Sequence, residues 1–111
     1  MATKEELMEA LGKWAAKLDE ESYKERFQGF DKTLQFEFTD QDYQLMMVFK
    51  DGTCTLEEGS VDAPDIVIST VSDTILGISN GEISPTKAFM SGKLKAKGNM
   101  KDMLKVQMIM K

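Results

Sequence analysis

Residues 84–100 read SPTKAFMSGKLKAKGNM, and this stretch gives the strongest indication of the fold. Its opening Ser-Pro pair is typical of a helix N-cap and first helical residue, and Gly92 is typical of a helix end. Residues 93–97 then alternate lysine with apolar side chains, as a half-buried strand does. Because Asn99 is a suitable N-cap for another helix, the stretch predicts helix, strand and helix in close succession.

Upstream of that stretch, the pattern predicts a helix followed by several strands. Thr3 and Glu6 have the spacing of a capping box, and Trp14 lies on the apolar face of the helix that follows, where we expect it to anchor this helix on a sheet. The Asp51-Gly52 pair is a strong hairpin signal. Alternation of apolar and polar residues predicts a strand over residues 34–38, apolar runs predict strands over 43–49 and 66–68, and the hairpin signal predicts a partner strand over 53–57.

Two further details of these elements are predicted. The strand over 43–49 is apolar on both faces, so we expect it inside the sheet with cover on each side. Thr70 with Asp73 has the spacing of a cap for a helix that Asn80-Gly81 would end.

The final helix has an unusual concentration of methionine. Of nine methionines in the chain, five lie at or after residue 90. Met100, Met103, Leu104 and Met108 share one face at helical spacing, and Val106 and Met110 widen this face. Residues 106–111 also fit an extended alternation, so the conformation of this end stays open. On composition alone, a loosely specified core or a partner-binding surface explains the methionines as well as a ligand wall does.

Bulk composition fits one soluble globular domain over residues 1–111. Hydrophobic residues make up 41% of the chain and charged residues 30%. No apolar run approaches the roughly 20 residues of a membrane-spanning helix, and the N-terminus lacks a signal-peptide layout. Cys54 is the single cysteine, so no internal disulfide forms, and we expect a cytoplasmic protein.

Charge is unevenly distributed along the chain. Residues 87–111 carry seven lysines and one acid, a charge of +6, while residues 1–86 carry −11, which together give the net −5. This basic segment either solvates one face or orients the domain toward an anionic surface such as a membrane.

The sequence lacks the usual chemistry of an enzyme. There is no histidine, which removes His-dependent general bases, triads and metal sites. Cys54 has no such activating partner and is expected to be a packed thiol. No phosphate-binding glycine motif is present. Because Arg26 is the one arginine and lies in the acidic part, no nucleic-acid partner is expected. We therefore expect no catalysis, no cofactor and no metal.

A family resemblance adds to this interpretation. Residues 75–100, ILGISNGEISPTKAFMSGKLKAKGNM, resemble the sterol carrier protein 2-like domains. That family reads as a leucine-containing helix, a G-x-[LI]-[SD]-P turn, a helix with Ala-Phe, then G-K-[LI]-K-[LIVA]-x-G-[ND] and a closing Met/Leu-rich helix. Every step is present here in order, and the first half of the chain also fits.

The resemblance implies an α+β fold, with a five-stranded, mostly antiparallel sheet covered by helices and an apolar tunnel between them. Family members bind fatty acids, fatty acyl-CoA, sterols and similar lipids without catalytic residues of their own. Peroxisomal members end in an SKL-like tripeptide, whereas this chain ends in residues 108–111, MIMK. No peroxisomal address is visible, so we expect a prokaryotic, cytosolic or excised domain rather than a peroxisomal one.

The resulting hypothesis is intracellular lipid binding and transfer by a monomer. The ligand would lie between the inner sheet face and the last helices, with the terminal helix acting as a lid. The candidate lining residues, each of which could equally be plain core, are Phe36, Met46, Val48, Ile75, Ile78, Phe89, Met90, Met100, Met103, Leu104 and Met108. The competing interpretation is a protein-interaction, scaffold or dimerisation module of the same fold without a physiological lipid.

Overall fold

The computed structural model describes residues 1–110. Along the chain the helices and strands are α1 (Lys4–Ala16), α2 (Glu21–Arg26), β1 (Lys32–Phe38), β2 (Tyr43–Lys50), β3 (Thr53–Glu58), β4 (Ile66–Thr70), α3 (Ser72–Ser79), α4 (Pro85–Met90), β5 (Leu94–Lys97) and α5 (Met100–Gln107). A single 3-10 turn over Lys17–Asp19 joins α1 to α2.

The five strands form one sheet in the order β3-β2-β1-β4-β5. Neighbouring strands are antiparallel except the central pair, β1 and β4, which run parallel. The predicted α+β class with a mostly antiparallel, five-stranded sheet is therefore confirmed. The β2–β3 hairpin turns at Asp51 and Gly52, whose φ angles of 52° and 77° are those of a type I′ turn.

One face of the sheet carries the core. Side chains alternate along each strand, so Leu34, Phe36 and Phe38 of β1 share a face, with Met47, Leu45 and Tyr43 of β2 opposite them. All six are buried. The ring of Trp14 on α1 lies 6.4 Å from that of Phe36, which confirms the predicted anchoring of this helix on the sheet. The capping box between Thr3 and Glu6 is also present.

The opposite face is crossed by the loop that links β3 to β4. Gln35 and Met46 are in register on this face and both are buried. The Gln35 amide nitrogen donates to the Gly59 carbonyl at 2.9 Å, and its oxygen accepts from the Val61 amide at 3.2 Å. The loop is thus tied over β1, and β2 has cover on both faces as its apolar pattern predicts.

The cap of α3 differs from the prediction. Val71 occupies the N-cap position, and the side chain of Thr70 instead donates to the Lys93 carbonyl at 2.8 Å. Asp40, in the β1–β2 turn, accepts from the Ser72 amide at 2.8 Å and from its hydroxyl at 2.6 Å. The cap therefore comes from a residue distant in sequence, which a local motif cannot reveal.

The C-terminal end is helical. The side-chain oxygen of Asn99 accepts from the Lys101 amide at 2.8 Å and caps α5, as predicted. The helix continues through Gln107, and tighter i→i+3 hydrogen bonds extend the turn to Met110. The extended alternative for this end is therefore wrong as far as Met110, and Lys111 lies outside the described residues.

Candidate functional site

An apolar pocket lies between one end of the sheet and the last two helices. Its free volume is only about 10 Å³, which is roughly the space that one water needs. The lining residues come from β4, β5, α4 and α5 and are Ile66, Ile68, Pro85, Phe89, Leu94, Ala96, Met103, Val106, Gln107 and Met110. The pocket is almost filled by its own side chains, so no open tunnel is present here.

Strand alternation builds the floor of the pocket. Ile66 and Ile68 of β4 lie on the core face, and Ala96 of β5 is in register beside Ile68. The neighbouring lysines at positions 95 and 97 point to the other face. Because lysine and apolar residues alternate along β5, its apolar side chains face the core and form the floor of the pocket at the edge of the sheet.

Helix α5 and the turn that follows it form the roof through three residues at helical spacing. Met103, Val106 and Met110 are buried and lie at i, i+3 and i+7. Two of the three are methionines, whose unbranched side chains adapt to irregular partners. The roof can therefore change shape more readily than a wall of branched side chains.

Three polar contacts hold α5 against the rest of the molecule. The Lys32 ammonium lies 3.3 Å from the Asp102 carboxylate, and the Lys105 ammonium lies 5.6 Å from the centre of the Phe27 ring. The Thr86 hydroxyl on α4 donates to the Gln107 side chain at 3.4 Å, a long hydrogen bond. Each contact is partly exposed and individually weak.

The lining is almost entirely apolar and carries no reactive side chain. Gln107 is its one polar side chain, and no residue of the lining titrates. Outside the pocket, burial raises the pKa of the Cys54 thiol to about 12, so this group is almost entirely protonated at neutral pH. Such a pocket can bind an apolar ligand but holds no acid, base or nucleophile.

The described part of the chain lacks two kinds of feature. Residues 1–110 contain no group of three His, Cys, Asp or Glu side chains arranged to hold a metal ion. Over the same range no helix is both long enough and apolar enough to span a bilayer.

Of the candidate lining residues, the pocket brings together Phe89 and Met103. Phe36, Ile75 and Ile78 are fully buried in the core cluster but do not line the pocket. Met108 is half-buried and also lies outside the lining.

Five other candidates lie where they cannot reach this space. Met46 and Val48 lie on the opposite face of the sheet, since Met46 is in register with Gln35 rather than with Phe36. Met90, Met100 and Leu104 project into solvent, with 84%, 63% and 56% of their surface exposed. The expectation that these five lie between sheet and helices does not match their positions in the structure.

The pocket meets a different side of α5 from the one that the sequence predicts. The predicted face centres on Met100 and Leu104 and has Val106 and Met110 only at its margin, whereas the side that meets the pocket centres on Val106 and Met110, about a third of a turn away. Asp102 and Lys105 contact Lys32 and Phe27 on the body of the molecule, which turns Met100 and Leu104 outward.

Several lining residues were missing from the candidate set, among them Ile66, Ile68, Leu94 and Ala96. Alternation with lysines indicates that Leu94 and Ala96 face inward, but the sequence does not show that β4 and β5 are neighbours at the sheet edge. The helical spacing of Val106 and Met110 is visible in the sequence as well, at the margin of the predicted apolar face.

Comparisons with known proteins agree with this fold. The family model described as the SCP-2 sterol transfer family matches residues 11–111. Hydroxysteroid dehydrogenase-like protein 2 of Bos taurus is 39% identical over 79 residues, which cover 68% of this chain and 19% of that protein. The chain thus spans less than a fifth of that relative's length.

Solved structures show the same architecture. The sterol carrier protein domain 2 of Helicoverpa armigera superposes with a TM-score of 0.76 at 19% identity, covering 98% of this chain and 90% of that one. Palmitated SCP2L2 from Aedes aegypti gives a TM-score of 0.70 at 14% identity, covering 98% and 95%. With the family match over nearly the whole length, these likenesses lead to one conclusion: the chain belongs to the SCP-2 sterol transfer family, a family of lipid-binding and lipid-transfer domains.

Proposed function

We propose that this domain carries a single-chain lipid, a fatty acid or the acyl part of a fatty acyl-CoA, between β4–β5 and α4–α5. The observation that carries the proposal is the apolar pocket, whose lining has one polar side chain and no charged one. Met103 and Met110 fill it with flexible side chains that a ligand could displace. The palmitated relative from Aedes aegypti supports an acyl chain as ligand.

Entry of a ligand requires the roof to move, because the free volume of about 10 Å³ is far smaller than an acyl chain. Each buried methylene gains roughly 0.8 kcal/mol, so a long chain offers about 10 kcal/mol before the costs of association and opening. The three weak contacts that hold α5 give a modest barrier to this movement. Helix α5 therefore acts as the lid in our proposal.

The proposed role is non-catalytic. The pocket contains no titratable side chain, and the raised pKa of Cys54 makes that thiol a poor nucleophile. A sterol fits the same apolar chemistry, but its rigid rings need a wider opening than a flexible chain does. We therefore rank an acyl chain first.

The test is titration of the detergent-free protein with a fluorescent fatty acid, followed by displacement with unlabelled palmitate or cholesterol. We expect saturable uptake and displacement by palmitate at lower concentration than by cholesterol. Absence of uptake would contradict the proposal. Stronger displacement by cholesterol would assign the pocket to a sterol instead.

The second candidate is a protein-interaction module. The exposed methionines on α4 and α5 and the nearly filled pocket favour it. It predicts no uptake of fatty acid and a protein complex that substitutions at Met100 or Leu104 disrupt.

A further inference from the structure

The indole of Trp14 carries a buried hydrogen-bond donor that has no acceptor in the described part of the chain. Only 1% of this residue's surface is exposed. Among residues 1–110, its Nε1 is the one buried side-chain nitrogen or oxygen without a hydrogen-bond partner. A donor that leaves water without gaining an acceptor costs free energy, so such groups are rare in folded proteins. Anchoring α1 on the sheet requires an apolar ring but not this N–H, so packing alone does not explain it.

Trp14 lies beside a row of core side chains that leads to the pocket. Four cross-strand partners form this row across the core face of the sheet: Leu45, Phe36, Ile68 and Ala96. Ile68 and Ala96 line the pocket, whereas the indole packs against Phe36 with 6.4 Å between the ring centres. Because neighbouring strands are about 4.8 Å apart, Phe36 is one strand spacing from the pocket floor. A ligand that extends from the pocket along this row therefore approaches the indole.

We propose that the Trp14 N–H binds a neutral oxygen at the buried end of the lipid, such as a hydroxyl or carbonyl oxygen. The indole N–H is a donor only, so its partner must be an acceptor. No charged residue within the range 1–110 is fully buried, so nothing in the core would offset the cost of burying a carboxylate. A charged group on the ligand therefore stays near the solvent, and the opposite end of the ligand supplies the oxygen.

This inference rests on the lipid-carrying function proposed above and adds a preference among lipids to it. A buried donor that the wrong ligand leaves unpaired discriminates against that ligand. Two kinds of lipid share the required chemistry, namely an acyl chain with an oxygen at its far end and a sterol that enters with its hydroxyl first. Since a hydroxyl also prefers water to an apolar pocket, the informative quantity is a ratio of affinities rather than one affinity.

Trp14→Phe tests the contact, because it removes the N–H and keeps an aromatic ring in the core. Displacement of a fluorescent fatty acid gives the dissociation constants of palmitate and ω-hydroxypalmitate for the parent and the variant. We expect their ratio to shift about tenfold against the hydroxylated chain in the variant. A loss of packing alone would weaken both ligands equally and leave the ratio unchanged.

A second pair of ligands separates the two sources of the oxygen. Cholesterol is compared in the same way with the analogue that lacks its hydroxyl. A shifted ratio in the sterol pair alone would identify a sterol hydroxyl, and one in the acyl pair alone would identify an oxygenated acyl chain. If Trp14→Phe shifts neither ratio, the proposal is overturned.

NMR of the parent protein gives a measurement that needs no variant. Trp14 is the only tryptophan in the chain, so a ¹H–¹⁵N spectrum contains one indole N–H signal. We expect this signal to move downfield with ω-hydroxypalmitate or cholesterol, and less with the oxygen-free partner of the same pair. Equal shifts within both pairs would contradict the proposal. A signal that lies downfield before any lipid is added, and that no lipid moves, would assign the donor to a water and also overturn it.

Tyr43→Phe is the matched control. Tyr43 is buried on the same face of the sheet, in register with Phe38, and the substitution removes one polar group while keeping the ring. Both affinity ratios should stay as in the parent. If this control shifts a ratio as much as Trp14→Phe does, the discrimination does not come from the indole and the proposal fails.

Uptake of fluorescent fatty acid by the parent separates this proposal from the proposed function. Normal uptake with unchanged ratios would remove the Trp14 contact and keep the lipid pocket. Absence of uptake, with an indole signal that no lipid moves, would contradict both proposals.

Discussion

The Lys32 ammonium, at the start of β1, lies 3.3 Å from the Asp102 carboxylate in the first turn of α5. The two residues are separated by most of the chain, so this pair ties the terminal helix to the centre of the sheet. Asp102 is mostly buried and Lys32 more exposed. A partly exposed pair of this kind contributes about 1 kcal/mol or less to stability.

Lys32→Gln should therefore loosen the attachment of α5 without unfolding the protein. Because the lid loses one of its three polar contacts, fluorescent fatty acid should enter about two- to fivefold faster in stopped-flow mixing. The matched control is Lys13→Gln, which removes the exposed pair with Glu9 at 3.7 Å on α1. Equal entry rates for Lys32→Gln and the parent would show that α5 does not limit entry.

Ala96→Leu should block the pocket. Ala96 lines the floor on β5, and the free volume of about 10 Å³ cannot hold the added carbons in the closed state. We expect a loss of about 1–3 kcal/mol in stability and at least a tenfold loss of fatty-acid affinity. Ala16→Leu makes the same change at the exposed end of α1 and should alter neither quantity. Unchanged affinity in Ala96→Leu would place the ligand elsewhere.

Asp40 should make the stability of α3 depend on acid pH. Burial alone would raise its pKa, but the hydrogen bonds from the Ser72 hydroxyl and amide hold the pKa below the ordinary value of 3.8. Its stabilising contribution is therefore present above pH 3.8 and is lost as the pH falls through the lower, folded-state pKa.

Asp40→Ala should cost about 1 kcal/mol at neutral pH by removing this cap. Chemical denaturation between about pH 6 and about pH 2 should show a shallower loss of stability in the variant than in the parent. Asp42→Ala, at a neighbouring exposed position, is the control and should follow the parent. A parallel pH dependence in Asp40→Ala would refute the role of Asp40.

Cys54 should react slowly in the native state. Burial raises its pKa to about 12, above the ordinary value of 9.0, so the reactive thiolate is a very small fraction at neutral pH. Alkylation by iodoacetamide near neutral pH should be far faster after unfolding in urea than before. Similar rates in the two states would indicate an exposed, reactive thiol.

Much of the fold could be predicted because its signals are local. The alternation in residues 93–97 gave a strand with its lysines outward, and the Asp51-Gly52 pair gave the hairpin. The capping residues Thr3 and Asn99 lie within one turn of the amides that they satisfy. The cap of α3 could not be predicted from a local motif, because Asp40 is thirty-two residues from Ser72.

The candidate site was harder to predict for a related reason. Helix α5 is apolar on more than one side, and what selects its buried side is the contact of Asp102 with Lys32 and of Lys105 with Phe27. These contacts join segments distant in sequence. The position of Met46 follows from strand alternation alone, because Tyr43, Leu45 and Met47 occupy the core face of β2 and leave Met46 on the other face.

The methionines of this chain allow the ligand to be located directly by NMR of protein with ¹³C-labelled methionine methyl groups, titrated with palmitate. The pocket assignment predicts large shifts and contacts between acyl protons and the methyl groups of Met103 and Met110, with no contact at Met46 across the sheet. Bound palmitate that contacts Met46, or that leaves Met103 and Met110 unchanged, would contradict it.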